Sequence, residues 1–159
     1  MTSPVNDEIS FDIQIAAPPD RIFDALIDPA QVPKWWGGQG AGQVFRCNEF
    51  TADLRVSGRW KASGVSGNDQ KFEVTGEFLE INRARKLRYT WVATWTGTAK
   101  TQVEWELQPG ANGTHIQLRQ SGLAAHPEIA NSYRGWPRML EWLRAYVERG
   151  ETTAQRMAS

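Results

Sequence analysis

Apolar and polar side chains alternate along the first part of the chain and through most of its middle. From Ile9 to Ile15 every second residue is isoleucine or phenylalanine, and the residues between them are polar. This period of two is typical of a β-strand with one buried face. It recurs between residues 43 and 122, where turn signals such as Pro109-Gly110 leave room for about six further strands. The sequence therefore predicts an antiparallel sheet of about seven strands, with one covered and one solvated face.

Other segments carry apolar residues at a spacing of three and four, which is typical of amphipathic helices. Two of them are short, from about Pro19 to Asp28 and from Ala30 to Trp36. A longer one runs from Pro127 to Gly150, and Pro137 inside it predicts a kink, or a helix that begins near Trp136. We expect this long helix to cover the apolar face of the sheet in an α+β fold, with the two short helices between the first and second strands.

Residues 8–150 form the one predicted domain. A chain of 159 residues is long enough for a single hydrophobic core, and folding should bury roughly 68–70% of its unfolded surface. Residues 1–7 and 151–159 are polar and lack the pattern, so we expect both ends to be disordered. The glycine-rich run from Gly37 to Gly42 also lacks it and predicts a mobile loop.

Charge and cysteine content argue against several classes of function. Eighteen basic and eighteen acidic side chains give a formal net charge of zero, which provides no attraction for nucleic acid or for an anionic membrane. No apolar run approaches the ~20 residues of a membrane helix. The first residues lack the basic and apolar regions of a secretory signal, and the single cysteine, Cys47, cannot form a disulfide within the chain. We therefore expect a cytoplasmic protein.

Metal, cofactor and catalytic chemistry find little support in the sequence. Cys47, His115 and His126 show no metal-ligand spacing. The Gly37 to Gly42 run neither follows a predicted strand nor ends in the Lys-Ser/Thr of a phosphate loop. The carboxylates of the middle strands fall on the solvated face, and no nucleophile with an adjacent base can be assembled. We expect no metal, no cofactor and no catalytic residue.

Aromatic side chains dominate the predicted core. Eight of the 159 residues are tryptophan, and most of them lie at strand-period or helix-period positions. Such rings can fill a core, or they can line a concave site for a planar apolar molecule, and the pattern leaves both interpretations open. In the second case the predicted ligand-binding residues are Trp35, Trp36, Trp60, Phe72, Val74, Phe78, Tyr89, Trp91, Trp105, Gln120, Tyr133, Trp136 and Leu140. Trp35 and Trp36 adjoin the glycine-rich run, which fits a lid over the cavity mouth or an anchor for the short helix.

Several short motifs also stand out in the sequence. The motifs are Lys34-Trp35-Trp36-Gly37, Asp53 to Trp60, Thr101 to Leu107, Gly113-Thr114, Gln120 to Leu123 and Tyr133 to Trp136. Together they resemble the START-like, or helix-grip, superfamily (SRPBCC), in the branch named for activators of the ATPase of the 90-kDa heat-shock chaperone. The resemblance covers roughly residues 9–149. Ser57 departs from it by replacing the first glycine of a Gly-Gly turn, and Gln120 stands where a histidine is common.

The resemblance implies a curved antiparallel sheet wrapped around a long C-terminal helix, with a cavity between them. In many members of the superfamily that cavity holds a hydrophobic or aromatic small molecule. We therefore expect a monomer or homodimer that binds such a molecule without catalysing a reaction.

Two other functions stay open at this stage. The first is a cofactor-free cyclase or dehydratase of the polyketide type, which requires an acid and a base facing the cavity. The second is a chaperone-binding or protein-interaction module with an exposed aromatic patch such as Trp95 and Trp142.

Overall fold

The computed structural model describes residues 7–40, 43–67, 69–94, 97, 99–126 and 136–158. The strands and helices follow the order that the pattern predicts, with one additional strand and one additional helix. In chain order they are β1 (Ile9–Ile15), α1 (Pro19–Ile27), α2 (Val32–Trp35), β2 (Gly37–Gly40), β3 (Gln43–Ala52), β4 (Arg59–Ser66), β5 (Lys71–Asn82), β6 (Lys86–Ala93), β7 (Lys100–Gly110), β8 (Gly113–Ser121), α3 (Trp136–Arg149) and α4 (Thr153–Ala158).

All of these strands belong to one antiparallel sheet, in the order β1-β8-β7-β6-β5-β4-β3-β2. From β2 to β8 each strand pairs with its neighbour in sequence, and β1 returns to pair with β8, which sets Ile13 opposite Ile116. The sheet curls, and α3 packs against it. The predicted α+β helix-grip fold is therefore confirmed.

Alternation along β7 shows how the sequence separates the two faces of the sheet. Trp105 and Leu107 are each only 2% exposed and face the core. Glu104 faces the other way and forms ion pairs with Lys86 at 3.2 Å and with Arg119 at 3.3 Å. Partly exposed ion pairs of this kind contribute little to stability. Burial of the apolar face therefore holds the sheet against the helix.

The glycine-rich run is a strand rather than the mobile loop that the sequence predicts. Gly37–Gly40 form β2, which extends the edge of the sheet by pairing with β3. The Cys47 backbone N–H donates to the Trp36 carbonyl at 3.2 Å, and the Thr153 hydroxyl donates to the Gly37 carbonyl at 3.4 Å. Gly37 has a φ of 154°, which glycine adopts without steric cost. The glycine content that suggests flexibility thus also permits an edge strand. Positions 41 and 42 of the run lie outside the described residues.

The last residues of the chain form the short helix α4, where the sequence predicts disorder. The Thr152 backbone N–H donates to the Gln155 side chain at 2.9 Å, and the Gln155 backbone N–H donates to the Thr152 hydroxyl at 3.2 Å. This reciprocal pair is a capping box, whose Thr-x-x-Gln spacing is readable in the sequence. Thr153 is only 4% exposed and joins α4 to β2. The helix α4 therefore contacts β2 and α2, with Thr153 as its buried residue.

The structure describes the long helix α3 from Trp136 to Arg149, with Pro137 as its second described residue. The choice between the two predictions for Pro137, a kink or a helix that begins near Trp136, depends on the residues before Trp136. Residues 127–135, which include the predicted ligand-binding residue Tyr133, lie outside the described part of the chain.

Trp142 is buried, although the sequence predicts that it lies in an exposed aromatic patch. It lies on α3 and is 6% exposed, so the prediction that it belongs to an exposed aromatic patch is wrong. The physical reason is that α3 packs against β1 and β2 and also against α1 and α2, which buries more than one side of the helix. The other residue of the predicted patch, Trp95, lies outside the described residues.

Ser57 adopts a left-handed backbone conformation, with a φ of 71°, in the turn between β3 and β4. This conformation costs an L-residue roughly 1–2 kcal/mol because its Cβ crowds the following carbonyl oxygen. Glycine avoids that strain, although the greater conformational freedom that it gives the unfolded chain offsets part of the gain in stability. Ser57→Gly should therefore raise the free energy of unfolding by up to about 1 kcal/mol in urea denaturation.

Ser10→Gly is the matched control for this prediction, because Ser10 is an exposed residue within the extended strand β1. Glycine there should lower the free energy of unfolding by roughly 0.5–1 kcal/mol. Destabilisation by both substitutions to the same extent would contradict the strain assigned to Ser57.

Candidate functional site

A small cavity lies between the apolar face of the sheet and the helices α1, α2 and α3. Its volume is about 50 Å³, whereas pockets for drug-sized ligands measure about 300–1,000 Å³. The space is therefore several times smaller than an ordinary ligand pocket. Its lining consists of Leu26, Val32, Trp35, Trp36, Phe50, Trp60, Phe78, Leu87, Tyr89, Trp91, Trp105, Trp136 and Met139.

Indole rings occupy most of the space that a ligand would need, and Trp91 lies at their centre. Its ring centroid is 5.3 Å from that of Trp136, 5.8 Å from Trp60 and 6.1 Å from Trp36, with interplanar angles of 48° to 62°. Tyr89 adds an edge-to-face contact with Trp60 at 5.0 Å. Tilted and edge-to-face pairs are the favourable arrangements for aromatic rings. The rings therefore form one connected cluster rather than an open cup.

A buried hydrogen-bond chain joins this cluster to the end of the sheet. The Trp136 Nε1–H donates to Gln120 Oε1 at 2.8 Å, and Gln120 Nε2 donates to Thr101 Oγ1 at 2.9 Å. Gln120 is 1% exposed and Thr101 is 2% exposed. A buried amide must satisfy its donors and acceptors within the protein, and here β8 supplies the amide while β7 and α3 supply its partners.

Tyr89 brings a hydroxyl group to the lining itself, and this hydroxyl accepts a hydrogen bond from Trp105 Nε1 at 3.0 Å. Burial raises the pKa of Tyr89 well above its usual value because the phenolate is poorly solvated there, and the Trp105 hydrogen bond offsets only part of that effect. The phenol therefore stays neutral at physiological pH. It can orient a bound molecule by hydrogen bonding, but it cannot act as a base.

Trp60 is packed directly onto a glycine of the neighbouring strand. Gly76 lies opposite Trp60 in the register of β4 and β5, and a Cβ on Gly76 would lie 2.3 Å from Trp60 Nε1. That nitrogen is buried and has no hydrogen-bond partner among the described residues. The glycine thus lets a large ring lie flat against the sheet at the floor of the cavity.

Among the described residues, none that lines the cavity carries a charge, and no group of acidic, histidine and cysteine side chains could hold a metal ion. The nearby thiol of Cys47 is 3% exposed, and burial raises its pKa to about 11, so it stays protonated. The site can therefore offer shape, aromatic contacts and a few neutral hydrogen-bonding groups.

Most of the predicted ligand-binding residues meet at this site. Phe72 reaches it through an edge contact with Trp36 at 6.3 Å, and Gln120 reaches it through Trp136. Val74 and Leu140 are buried in the core outside the lining. The structure brings together eight of the predicted residues in the lining itself: Trp35, Trp36, Trp60, Phe78, Tyr89, Trp91, Trp105 and Trp136.

The sequence interpretation missed five lining residues, which are Leu26, Val32, Phe50, Leu87 and Met139. Leu87 belongs to the alternating face of β6 and could have been included on that pattern. Phe50 could not, because β3 has an irregularity between Cys47 and Glu49 that shifts the alternation. A bulge of this kind leaves no reliable signal in the sequence.

Trp35 serves mainly to anchor α2, which was one of the two predicted roles for the paired tryptophans. Its Nε1–H donates to the Ala25 carbonyl of α1 at 2.7 Å, and the residue is 3% exposed. Trp36 is 8% exposed and turns its ring toward Trp91 and Phe72 instead. Trp36 therefore belongs to the cluster, while Trp35 ties the two short helices together.

Within the described part of the chain, no helix is both long and apolar enough to cross a membrane.

Solved structures of other proteins share this architecture. A protein from Chromobacterium violaceum is 29% identical, with a TM-score of 0.73, over 90% of this chain and 99% of its own. An AHSA1-like protein from Aeromonas hydrophila is 22% identical, with a TM-score of 0.72, over 90% of this chain and 93% of its own. DynU16, a protein in the dynemicin biosynthetic locus, is 22% identical, with a TM-score of 0.70, over 93% of this chain and 49% of its own.

The curated proteins include no match to this chain. A family description does match: that of the activator of Hsp90 ATPase homolog 1-like proteins aligns with residues 16–148, from the turn after β1 to the last turn of α3. The match includes every described residue that lines the cavity. Because it spans most of the 159 residues, the chain belongs to the family of activator of Hsp90 ATPase homolog 1-like proteins.

Proposed function

We propose that this protein binds a small hydrophobic, aromatic molecule between the sheet and α3, without a cofactor. The observation that carries the proposal is the uncharged aromatic lining, into which two neutral polar groups, Tyr89 and Gln120, bring hydrogen-bonding capacity. Apolar walls with a few placed polar groups are the usual composition of small-molecule sites. Planar rings suit the walls best, because the indoles offer both faces and edges for contact.

The volume of about 50 Å³ sets a condition on this proposal. A ring system cannot enter unless a side chain of the cluster moves aside, so binding must select or create a more open conformation. The apparent affinity is the intrinsic affinity of the open state multiplied by the fraction of molecules that are open. A small open fraction therefore weakens binding. Ligands should therefore bind more weakly than contact area alone suggests.

The comparisons are compatible with a small-molecule role. DynU16, which shares the fold, is a protein in the dynemicin biosynthetic locus. The same neighbour is equally compatible with the cyclase alternative, although the described lining carries no carboxylate or histidine to act as acid or base. The interaction-module alternative loses Trp142 from its expected surface patch.

Leu87→Phe should abolish binding of aromatic probes, because the added ring atoms occupy the cavity that Leu87 lines. Isothermal titration calorimetry with naphthalene and indole measures the affinity, and the indole N–H signals in 1H–15N spectra locate the site. The unsubstituted chain should bind at least one probe in a saturable one-to-one manner with shifts at Trp91 and Trp136.

Ile81→Phe is the matched control, because Ile81 packs against the core outside the lining and the substitution adds similar bulk. It should leave probe affinity within about threefold of the unsubstituted value. If no probe binds the unsubstituted chain up to its solubility limit, the proposed function is wrong.

A further inference from the structure

Trp136 is held in the cluster as a small aromatic ligand would be held. Its ring lies 5.3 Å from the Trp91 ring, its single polar atom donates to the buried Gln120 Oε1 at 2.8 Å, and the residue is 5% exposed. Aromatic contacts and a placed hydrogen-bonding group are the means by which apolar pockets orient a planar molecule.

The Gln120 side chain is oriented before any ligand arrives. Its Nε2 donates to Thr101 Oγ1 at 2.9 Å, which leaves Oε1 directed at the Trp136 indole. The site therefore presents the Oε1 acceptor of Gln120 to the indole N–H. A ligand that replaced the indole without donating a hydrogen bond would leave a buried amide oxygen unpaired, which sites built for a hydrogen bond reject strongly.

Trp136 is also the ring of the cluster whose displacement disturbs the fold least. Trp60, Trp91 and Trp105 lie on β4, β6 and β7, whose neighbouring strands fix their backbones on both sides. Trp136 lies instead on the helix α3, outside the hydrogen-bonded strands of the sheet. Moving its ring therefore requires a rotamer change or a shift of one helical turn, and no change in sheet register.

We propose that Trp136 occupies the ligand site of the free protein, and that the ligand is a planar aromatic molecule with one N–H or O–H donor, which displaces the indole and pairs with Gln120. This inference rests on the proposed function and adds the ligand class and the residue that gates entry.

The test compares two probes of nearly the same shape: indole, which has an N–H donor, and benzothiophene, which has none. In Trp136→Ala, calorimetry should show indole binding at least about tenfold more tightly than benzothiophene. Adding Gln120→Met should remove that preference. Trp142→Ala deletes the same side chain from the same helix without exposing Gln120, and it should bind the two probes with the same relative affinities as the unsubstituted chain.

Trp136→Phe covers the case in which the alanine variant fails to fold. It keeps a ring but removes the competing donor, so it should bind indole about tenfold more tightly than the unsubstituted chain. In the unsubstituted chain, indole should accelerate hydrogen exchange at Trp136 Nε1, because ligand binding breaks its bond to Gln120.

The outcomes separate the two proposals. Equal affinity for indole and benzothiophene, or a preference that survives Gln120→Met, overturns the role of Gln120 while the proposed function stands. Binding to the unsubstituted chain with unchanged exchange at Trp136 overturns displacement alone. No binding by the unsubstituted chain or by any variant overturns both.

Discussion

Trp91→Ala is expected to lower the free energy of unfolding by about 3–5 kcal/mol, as large-to-small core substitutions of tryptophan do. Trp91 is 4% exposed, lies on β6 in the middle of the sheet and contacts the rings of Trp36, Trp60 and Trp136. Removing it takes one partner from three aromatic pairs and leaves a void that the surrounding strands cannot close. Urea denaturation followed by far-ultraviolet circular dichroism measures the loss without relying on tryptophan emission.

Trp91→Phe is the control for this experiment, because it retains a ring at the centre of the cluster. It should cost less than half of the alanine value, since most of the contact area survives. A loss below about 1 kcal/mol for Trp91→Ala would show that the cluster repacks and that Trp91 is not its centre.

Gly76→Ala is expected to destabilise the sheet strongly, because the added methyl group has no space. The added Cβ would lie 1.9 Å from the Thr90 carbonyl oxygen and 2.3 Å from Trp60 Nε1. The first contact is with backbone of the adjacent strand, so relief requires β5 and β6 to separate locally. We expect a loss at the upper end of the overpacking range, about 3 kcal/mol, in the same denaturation assay.

Gly110→Ala provides the matched control, because a Cβ at Gly110 meets no atom within 4 Å. Its effect should stay within about 0.5 kcal/mol. The double variant Trp60→Phe with Gly76→Ala distinguishes the two contacts: partial recovery of stability would assign part of the loss to the indole, and no recovery would assign it to the Thr90 carbonyl. A loss of less than 1 kcal/mol for Gly76→Ala alone would contradict the close packing described here.

Most of the fold follows from patterns that act over a few residues. The alternation from Ile9 to Ile15, and again along β7, depends only on the opposite directions of successive side chains in a strand. The two departures from the predicted order arise where local pattern and tertiary context disagree. β2 is a strand because β3 and Thr153 supply partners for a glycine-rich segment, and α4 is ordered because a capping box and a buried threonine fix it.

Most residues of the candidate site could be predicted from the sequence, but the shape of the cavity could not. Inward alternation placed Trp60, Trp91 and Trp105 on one face, and helical spacing placed Trp136 opposite them. The bulge in β3 that turns Phe50 inward left no signal. Burial of Trp142 was missed as well, because a helical pattern with a polar side does not show how many neighbours will cover that side.

By itself, the sequence determined that this chain forms an antiparallel sheet around an amphipathic C-terminal helix, with aromatic rings directed between them. Side-chain alternation and helical spacing are local properties, so they can be read residue by residue. Only the tertiary structure decided whether those rings surround a space or fill it. That outcome depends on how closely α3 packs against the sheet and on which rotamers Trp36, Trp91 and Trp136 adopt together, and such mutual packing involves residues far apart in the chain. The cavity of about 50 Å³ and the Gln120–Trp136 hydrogen bond are its result.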